Sequence, residues 1–315
     1  MQAVFSPAVS LMNRLRYNAK FLLLGAAFLI VILVLMYSVF SALSRDIEST
    51  RAELGGLQML KPINQMTQAM QQHRGLSAGV LNGNEAMKDK RAAKEKEVAA
   101  AVMAVDAALS STLREMPAWK AVRQDWDAIA SQGLSWTPPE NLKRHTVMIG
   151  NVLQFMVTVA DETQLTLDPV MDTYYFMDTL VSKMPAMLEP LGITRARGTG
   201  LLTKKEISQQ QRVDLASILS QMESTLRAQN TNLEKVMRFS PALKDSLSMP
   251  TREFSAGAEK IFALVRDDIF TEKFATAPQD YFAMTTQVIA LGYKVMFETL
   301  ITQFERQLQE RLDRS

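Results

Sequence analysis

The stretch MQQHRGLSAGVLNG, residues 70–83, carries an arginine where a packed helix calls for an apolar side chain. Read at helical spacing, Ile63, Thr67, Met70, Arg74, Ser77 and Leu81 fall 4, 3, 4, 3 and 4 residues apart. That is the stripe of a core-facing helix, with Arg74 in its middle. The Asn82-Gly83 step that follows reads as a helix C-cap and loop, with Asn84 placed to cap the next helix.

A guanidinium inside a helical stripe costs several kcal/mol unless it is paired. Arg74 therefore has three possible settings. It reaches an internal acid and stabilises the packing, it snorkels to solvent along its apolar stem, or it faces a small polar cavity that holds an anion. A second stripe repeats the pattern: Met184, Leu188, Leu191, Arg195, Gly198 and Leu202. Two alignments then disagree. The Arg-Gly spelling matches Arg74 with Arg197, whereas the core register matches it with Arg195. Register decides which side chain points inward, so Arg195 is the first candidate and Arg197 the second. Gly75, Ser77, Ala78 and Gly79 surround the first arginine, and Gly192, Thr194, Ala196, Gly198 and Gly200 the second pair. Glycines inside a helix imply close helix approach or room for a ligand. The planar five-donor fork of arginine suits carboxylate, nitrate or phosphate.

The stretch DPVMDTYYFMDTLV, 168–181, places Tyr174 and Tyr175 between Asp172 and Asp178. Asp168 reads as an acid favouring a helix N-terminus. The two tyrosines either close the core end or lend hydroxyls to a pocket. His73 and His145 read as surface or interhelical residues rather than ligands, and the charge run 88–97 as a solvated face.

Outward from these stripes the chain reads as helix throughout. The segments are 17–82, 85–115, 117–132, 139–166, 169–203, 206–239, 241–272 with an interruption at Pro250, and 278–314. Proline at 117, 241 and 278 suits helix starts. The order of features repeats. Pro62 precedes Arg74-Gly75 and Pro185 precedes Arg197-Gly198, each by 12 residues. MPAWKAV (116–122) is echoed by SPALKDS (240–246), and TPPENL (137–142) by TAPQDY (276–281). A period this long marks a duplicated domain rather than a solenoid. The expected fold is all-α: an N-terminal transmembrane helix followed by two tandem, duplicated up-down four-helix bundles. The expected boundaries are a basic lead at 1–20, a membrane helix at 21–42, and bundles at 43–166 and 167–315.

Composition agrees. Of 315 residues 47% are hydrophobic and 22% charged, with 13 Gly and 11 Pro, which favours a folded helical chain. The net charge of +2 gives no argument for nucleic acid. With no cysteine, thiolate catalysis, disulfides and cysteine-bound zinc are excluded, and two histidines make a His-rich metal site an unsuitable reading. No nucleophile–base pair or cofactor loop stands out. The expectation is a non-enzymatic binding protein without cofactor or metal.

Residues 21–40, FLLLGAAFLIVILVLMYSVF, contain no charge and are long enough to span a bilayer core of about 30 Å. Arg14, Arg16 and Lys20 precede the run, so the N-terminus is expected in the cytoplasm and the rest beyond the membrane. The run exceeds the apolar region of a cleaved signal peptide.

The basic lead with its membrane helix, QHRGLSAGVL, LTLDPVMDTYYFMDTLV and LGITRARGTGLL together resemble the sensor region of bacterial methyl-accepting chemotaxis proteins. Within that group the Arg-Gly-Ser pattern is similar to nitrate- and nitrite-sensing domains, and the layout resembles helical bimodular sensors of organic acids. The resemblance implies a homodimer in the inner membrane with a periplasmic sensor. It implies a small anion as ligand and Arg74, Arg195 and Arg197 as its contacts. Ser77, Tyr174 and Tyr175 join the candidate site from the residue reading. Chemotaxis receptors cross the membrane twice before their output domain, and a cyclase or kinase output is the alternative. This sequence ends at FERQLQERLDRS without a second apolar run. The expectation is a chain cut before the second crossing, or one that has lost its output.

Overall fold

The computed structural model describes residue 13 and residues 16–314, so the basic lead lies mostly outside the described residues. Among the described residues there is no strand. The chain divides into two compact units, the described part of residues 1–50 with Arg314, and Arg51–Asp313.

Helix α1 is Tyr17–Leu81. Its apolar part reaches a mean hydropathy of 2.8, with none of that window buried. It is the one helix among the described residues long and apolar enough to cross a membrane. Pro62 lies inside α1 without ending it. Its C-terminus closes as the sequence predicts. Gly83 adopts φ 89°, a left-handed conformation that glycine takes without a Cβ clash. Asn84 N donates to Gly79 O and Gly83 N to Val80 O, the paired bonds of a Schellman cap. Asn84 itself makes no side-chain cap, and a 3-10 turn at Glu85–Met87 follows instead.

The other helices, within Arg51–Asp313 but for the final Arg314, are α2 Lys88–Ala108, α3 Ser111–Glu115, α4 Pro117–Gln132, α5 Pro138–Glu162, α6 Met171–Asp178, α7 Met184–Lys204, α8 Gln209–Phe239, α9 Lys244–Leu264, α10 Pro278–Lys294 and α11 Thr302–Arg314. The repeated motifs sit at equivalent helix starts. Pro117 opens α4 and Pro241 opens the 3-10 turn leading into α9, while Pro138 and Pro278 open α5 and α10. Local chemistry sets other boundaries: Ser110 caps α3, Thr137 caps α5, and Ser208 with Gln211 forms a capping box on α8.

Three features differ from the sequence reading. Helix α9 runs through Pro250 uninterrupted. The segment 85–115 breaks at Leu109 and Ser110, where Ser110 caps a fresh helix. Short π-helical stretches join α6 to α7 (Thr179–Lys183), extend α9 (Val265–Ile269) and join α10 to α11 (Val295–Ile301). Such widened turns carry no local sequence mark, because tertiary packing absorbs the extra residue.

The first four-helix set is α1, α2, α4 and α5. Trp119 stacks on Phe155 and donates to Asp106, and His73 meets His145. The second comprises α6 with α7, then α8, α9, and α10 with α11. Phe176 stacks on Phe304, Asn232 donates to Asp178, and Tyr281 donates to Thr194 O. One contiguous apolar core runs through both sets. Helix α1 explains the continuity. Ile63, Asn64, Met66, Thr67, Met70, Gln71, His73, Arg74 and Ser77 are all buried, so it is covered on more than one face.

Candidate functional site

Arg74 is buried at 5% exposure, as its stripe position requires. Its guanidinium forks onto Glu189 of α7, with Nη1 2.5 Å from Oε1 and Nη2 3.0 Å from Oε2. Nη1 also donates to Thr146 Oγ1 of α5 at 3.2 Å. Gln71, three residues before Arg74 on α1, donates from Nε2 to Glu189 Oε2 at 2.8 Å and accepts from the Tyr293 hydroxyl at 2.7 Å. Burial, with the Glu189 carboxylate beside it, pushes the Tyr293 phenol well above its ordinary range. Tyr293 therefore stays protonated and serves as a donor. A closed chain results, Tyr293 to Gln71 to Glu189 to Arg74, in which α10, α1 and α7 are bonded together. Of the three settings open for Arg74, the structure takes the internal acid.

Arg195 lies one helix away in a different state. Its Nη1 donates to Thr286 Oγ1 at 2.8 Å, and its guanidinium lies 4.8 Å above the Phe282 ring. Among the described residues no carboxylate comes within ion-pair distance of it. Burial lowers the Arg195 pKa, and the positive charge of Arg74 lowers it further. Both causes mean that its cation is under-compensated, and arginine does not deprotonate to escape. The two guanidinium groups cross between helices. A Cβ at Gly192 of α7 would stand 3.2 Å from Arg74 Nη2, and one at Gly75 of α1 would stand 3.5 Å from Arg195 Nη2. The missing side chain at Gly192 leaves Arg74 its room, while a Cβ at Gly75 would make only an ordinary contact with Arg195. Beside them a cavity of about 70 Å³ is lined by Gln68, Gln71, Gly192, Arg195, Thr286 and Tyr293. A water needs about 10–15 Å³ of this measure, so the space suits a few waters or one small anion.

The other expected site residues lie elsewhere. Arg197 faces outward, its side chain 47% exposed and 4.0 Å from Asp214. Two residues beyond Arg195 on a helix is about 200° around the axis, which turns it from the seam. Ser77 is buried but accepts from Arg91 Nε at 3.0 Å, and Arg91 also pairs with Glu95 at 2.8 Å. Tyr175 accepts from Lys235 Nζ at 2.9 Å, and Tyr174 packs edge-on against Tyr175. Neither tyrosine lines the cavity. Asp168 caps its own turn through Val170 N and pairs with Arg311 at 3.1 Å.

His73 and His145 are both fully buried and bonded to each other, Nδ1 to Nε2 at 2.9 Å. His145 Nδ1 lies 2.9 Å from the Asn141 carbonyl, which only accepts, so Nδ1 carries the proton and Nε2 accepts from His73. Burial is the first cause that lowers their pKa values, to about 3 for His73 and about 4 for His145.

The sequence reading missed Glu189, Gln71, Thr286 and Tyr293. Glu189 had a usable signal: it is a lone acid in the apolar run MPAMLEPLG. Gln71 had none, because a polar residue off the main stripe reads as surface until α1 is known to be covered on a second face.

The family model for nitrate and nitrite sensing matches residues 65–312. No curated protein sequence matches the chain. Among solved structures the chain resembles the NasR transcription antiterminator, with a TM-score of 0.65 and 16% identity over 88% of this chain and 76% of that one. At that identity the likeness speaks for the fold alone. The family match takes in Arg74, Glu189, Arg195 and the helices that follow α1, and on it the chain belongs to the nitrate and nitrite sensing family.

Proposed function

We propose that the chain is the sensing region of a membrane-anchored signal transducer, and that nitrate or nitrite binds in the cavity at Arg195. A small carboxylate is a further candidate of the same charge. One observation carries this reading: a guanidinium without a carboxylate partner among the described residues opens on a small cavity between α1, α7 and α10. Arg195 supplies the charge, and Gln68 and Gln71 offer amide donors at the same wall. Arg74 lends its field from behind while Glu189 occupies its fork.

The apolar run of α1 and the basic residues before it support an inner-membrane anchor, with a cytoplasmic N-terminus and a periplasmic sensor. A chemoreceptor-type output and a homodimer complete the reading. The direct test is the melting temperature of the detergent-solubilised chain with nitrate, nitrite, acetate and chloride. Nitrate or nitrite at one hundred times Kd stabilises by about 2.7 kcal/mol, and Arg195→Gln removes that rise. A melting temperature that no anion moves contradicts the reading.

A further inference from the structure

We propose that Glu189 sets the charge that the cavity accepts, so that the site takes a monoanion and rejects a dianion such as sulfate. This rests on the reading that the Arg195 cavity is the anion site. Size does not make the choice. A space of about 70 Å³ does not separate a four-atom anion from a five-atom one. Charge does. Helix α1 brings Arg74 to the seam, and its residues on the cavity wall, Gln68, Gln71 and Gln72, are neutral. Helix α7 brings Glu189 and Arg195. The α10 wall, Thr286, Ile289, Ala290 and Tyr293, is neutral, and Tyr293 keeps its proton. His145, behind Arg74 on α5, is neutral above about pH 4. Two cations and one anion leave a single positive charge.

A monoanion brings that count to zero. A dianion leaves an uncompensated negative charge against Gln71, one hydrogen bond away from the buried Glu189 carboxylate. Glu189 cannot turn away to relieve this, because Arg74 holds both of its oxygens and Gln71 one of them, with Gln71 itself fixed by Tyr293. A buried pair of this kind is a weak source of stability compared with apolar residues of the same shape. Discrimination is what the carboxylate adds to the site.

The test is calorimetric titration of the full chain in detergent at neutral pH, with sodium nitrate and sodium sulfate at matched ionic strength. The wild type binds nitrate at least about tenfold more tightly than sulfate. Glu189→Gln keeps the side-chain shape and removes the charge. It raises sulfate affinity relative to nitrate by about tenfold or more. Gln72→Lys adds a charge at the exposed rim of the cavity without touching the Arg74–Glu189 pair or the Arg195–Thr286 bond, and moves the preference in the same direction. It decides the matter if Glu189→Gln fails to fold. Sulfate bound by the wild type as tightly as nitrate overturns the proposal. So does a preference that stays unchanged in the folded variants. A wild type that binds neither anion overturns the anion-site reading itself, and with it this proposal.

Discussion

Arg-Gly occurs at two corresponding points of the repeat, and its two arginines end in opposite surroundings. Arg74 is buried and forked onto Glu189, whereas the Arg197 side chain is half-exposed and stands 4.0 Å from Asp214. The inward position of the second stripe belongs to Arg195, two residues earlier. Dipeptide spelling and helical register therefore part company, and register follows the physics. A side chain's direction is set by its angle around the helix, while an echo of sequence carries no angle. The glycines differ as well. A Cβ at Gly75 would meet only Arg195 Nη2, at an ordinary 3.5 Å, whereas one at Gly198 would stand 2.5 Å from the Tyr281 ring.

The largest effect expected from this contrast is at Arg74. Arg74→Ala strands Glu189 in the seam with Gln71 as its remaining donor, and unfolding measurements register a loss of about 3–5 kcal/mol. The same change at Arg197 removes a long surface pair and costs about 0–1 kcal/mol. Equal losses at the two sites break the comparison. Gly198→Ala comes next. The Tyr281 ring is held by its bond to Thr194 O and cannot retreat freely, so overpacking costs about 1–3 kcal/mol. Gly75→Ala instead gains helix propensity of up to about 1 kcal/mol. A thermal melt of each variant gives the sign.

The first four-helix set also carries a buried histidine pair, while positions 167–315 contain no histidine at all. His73 and His145 are held neutral, with pKa values lowered to about 3 and about 4. In the unfolded chain they titrate near 6.5. Between these limits the unfolded state binds more protons, so stability is complete above about pH 6.5 and falls as the pH drops toward 4. The slope is on the order of 1 kcal/mol per pH unit for each histidine. Melts at pH 7.5 and pH 5 check this, and His145→Gln flattens the difference.

Much of the fold was legible because amphipathic period, proline starts and caps all act locally. Pro117–Gln132 matches its expected span at both ends, and the Gly83 cap falls where expected. The π turns and the unbroken helix at Pro250 were not legible, since they depend on what packs alongside. Helical register turned Arg74 and Arg195 inward, and in the structure Arg74 is buried and Arg195 bonds across to Thr286 of α10. It could not supply Glu189 as the partner of Arg74, because a salt bridge across 115 residues leaves no periodic trace. Ser77 was a candidate from its place in the stripe and Tyr174 and Tyr175 from their hydroxyls, and each is taken up by another neighbour.

Arg195, and not Arg197, is the arginine expected to meet the anion. Calorimetric titration of nitrate into the detergent-solubilised Arg195→Gln and Arg197→Gln variants, beside the wild type, asks this directly. The expected result is that Arg195→Gln loses nitrate binding by about two orders of magnitude, as for a buried charged contact, while Arg197→Gln binds as the wild type does. Undiminished binding in Arg195→Gln, or its loss in Arg197→Gln, contradicts the account.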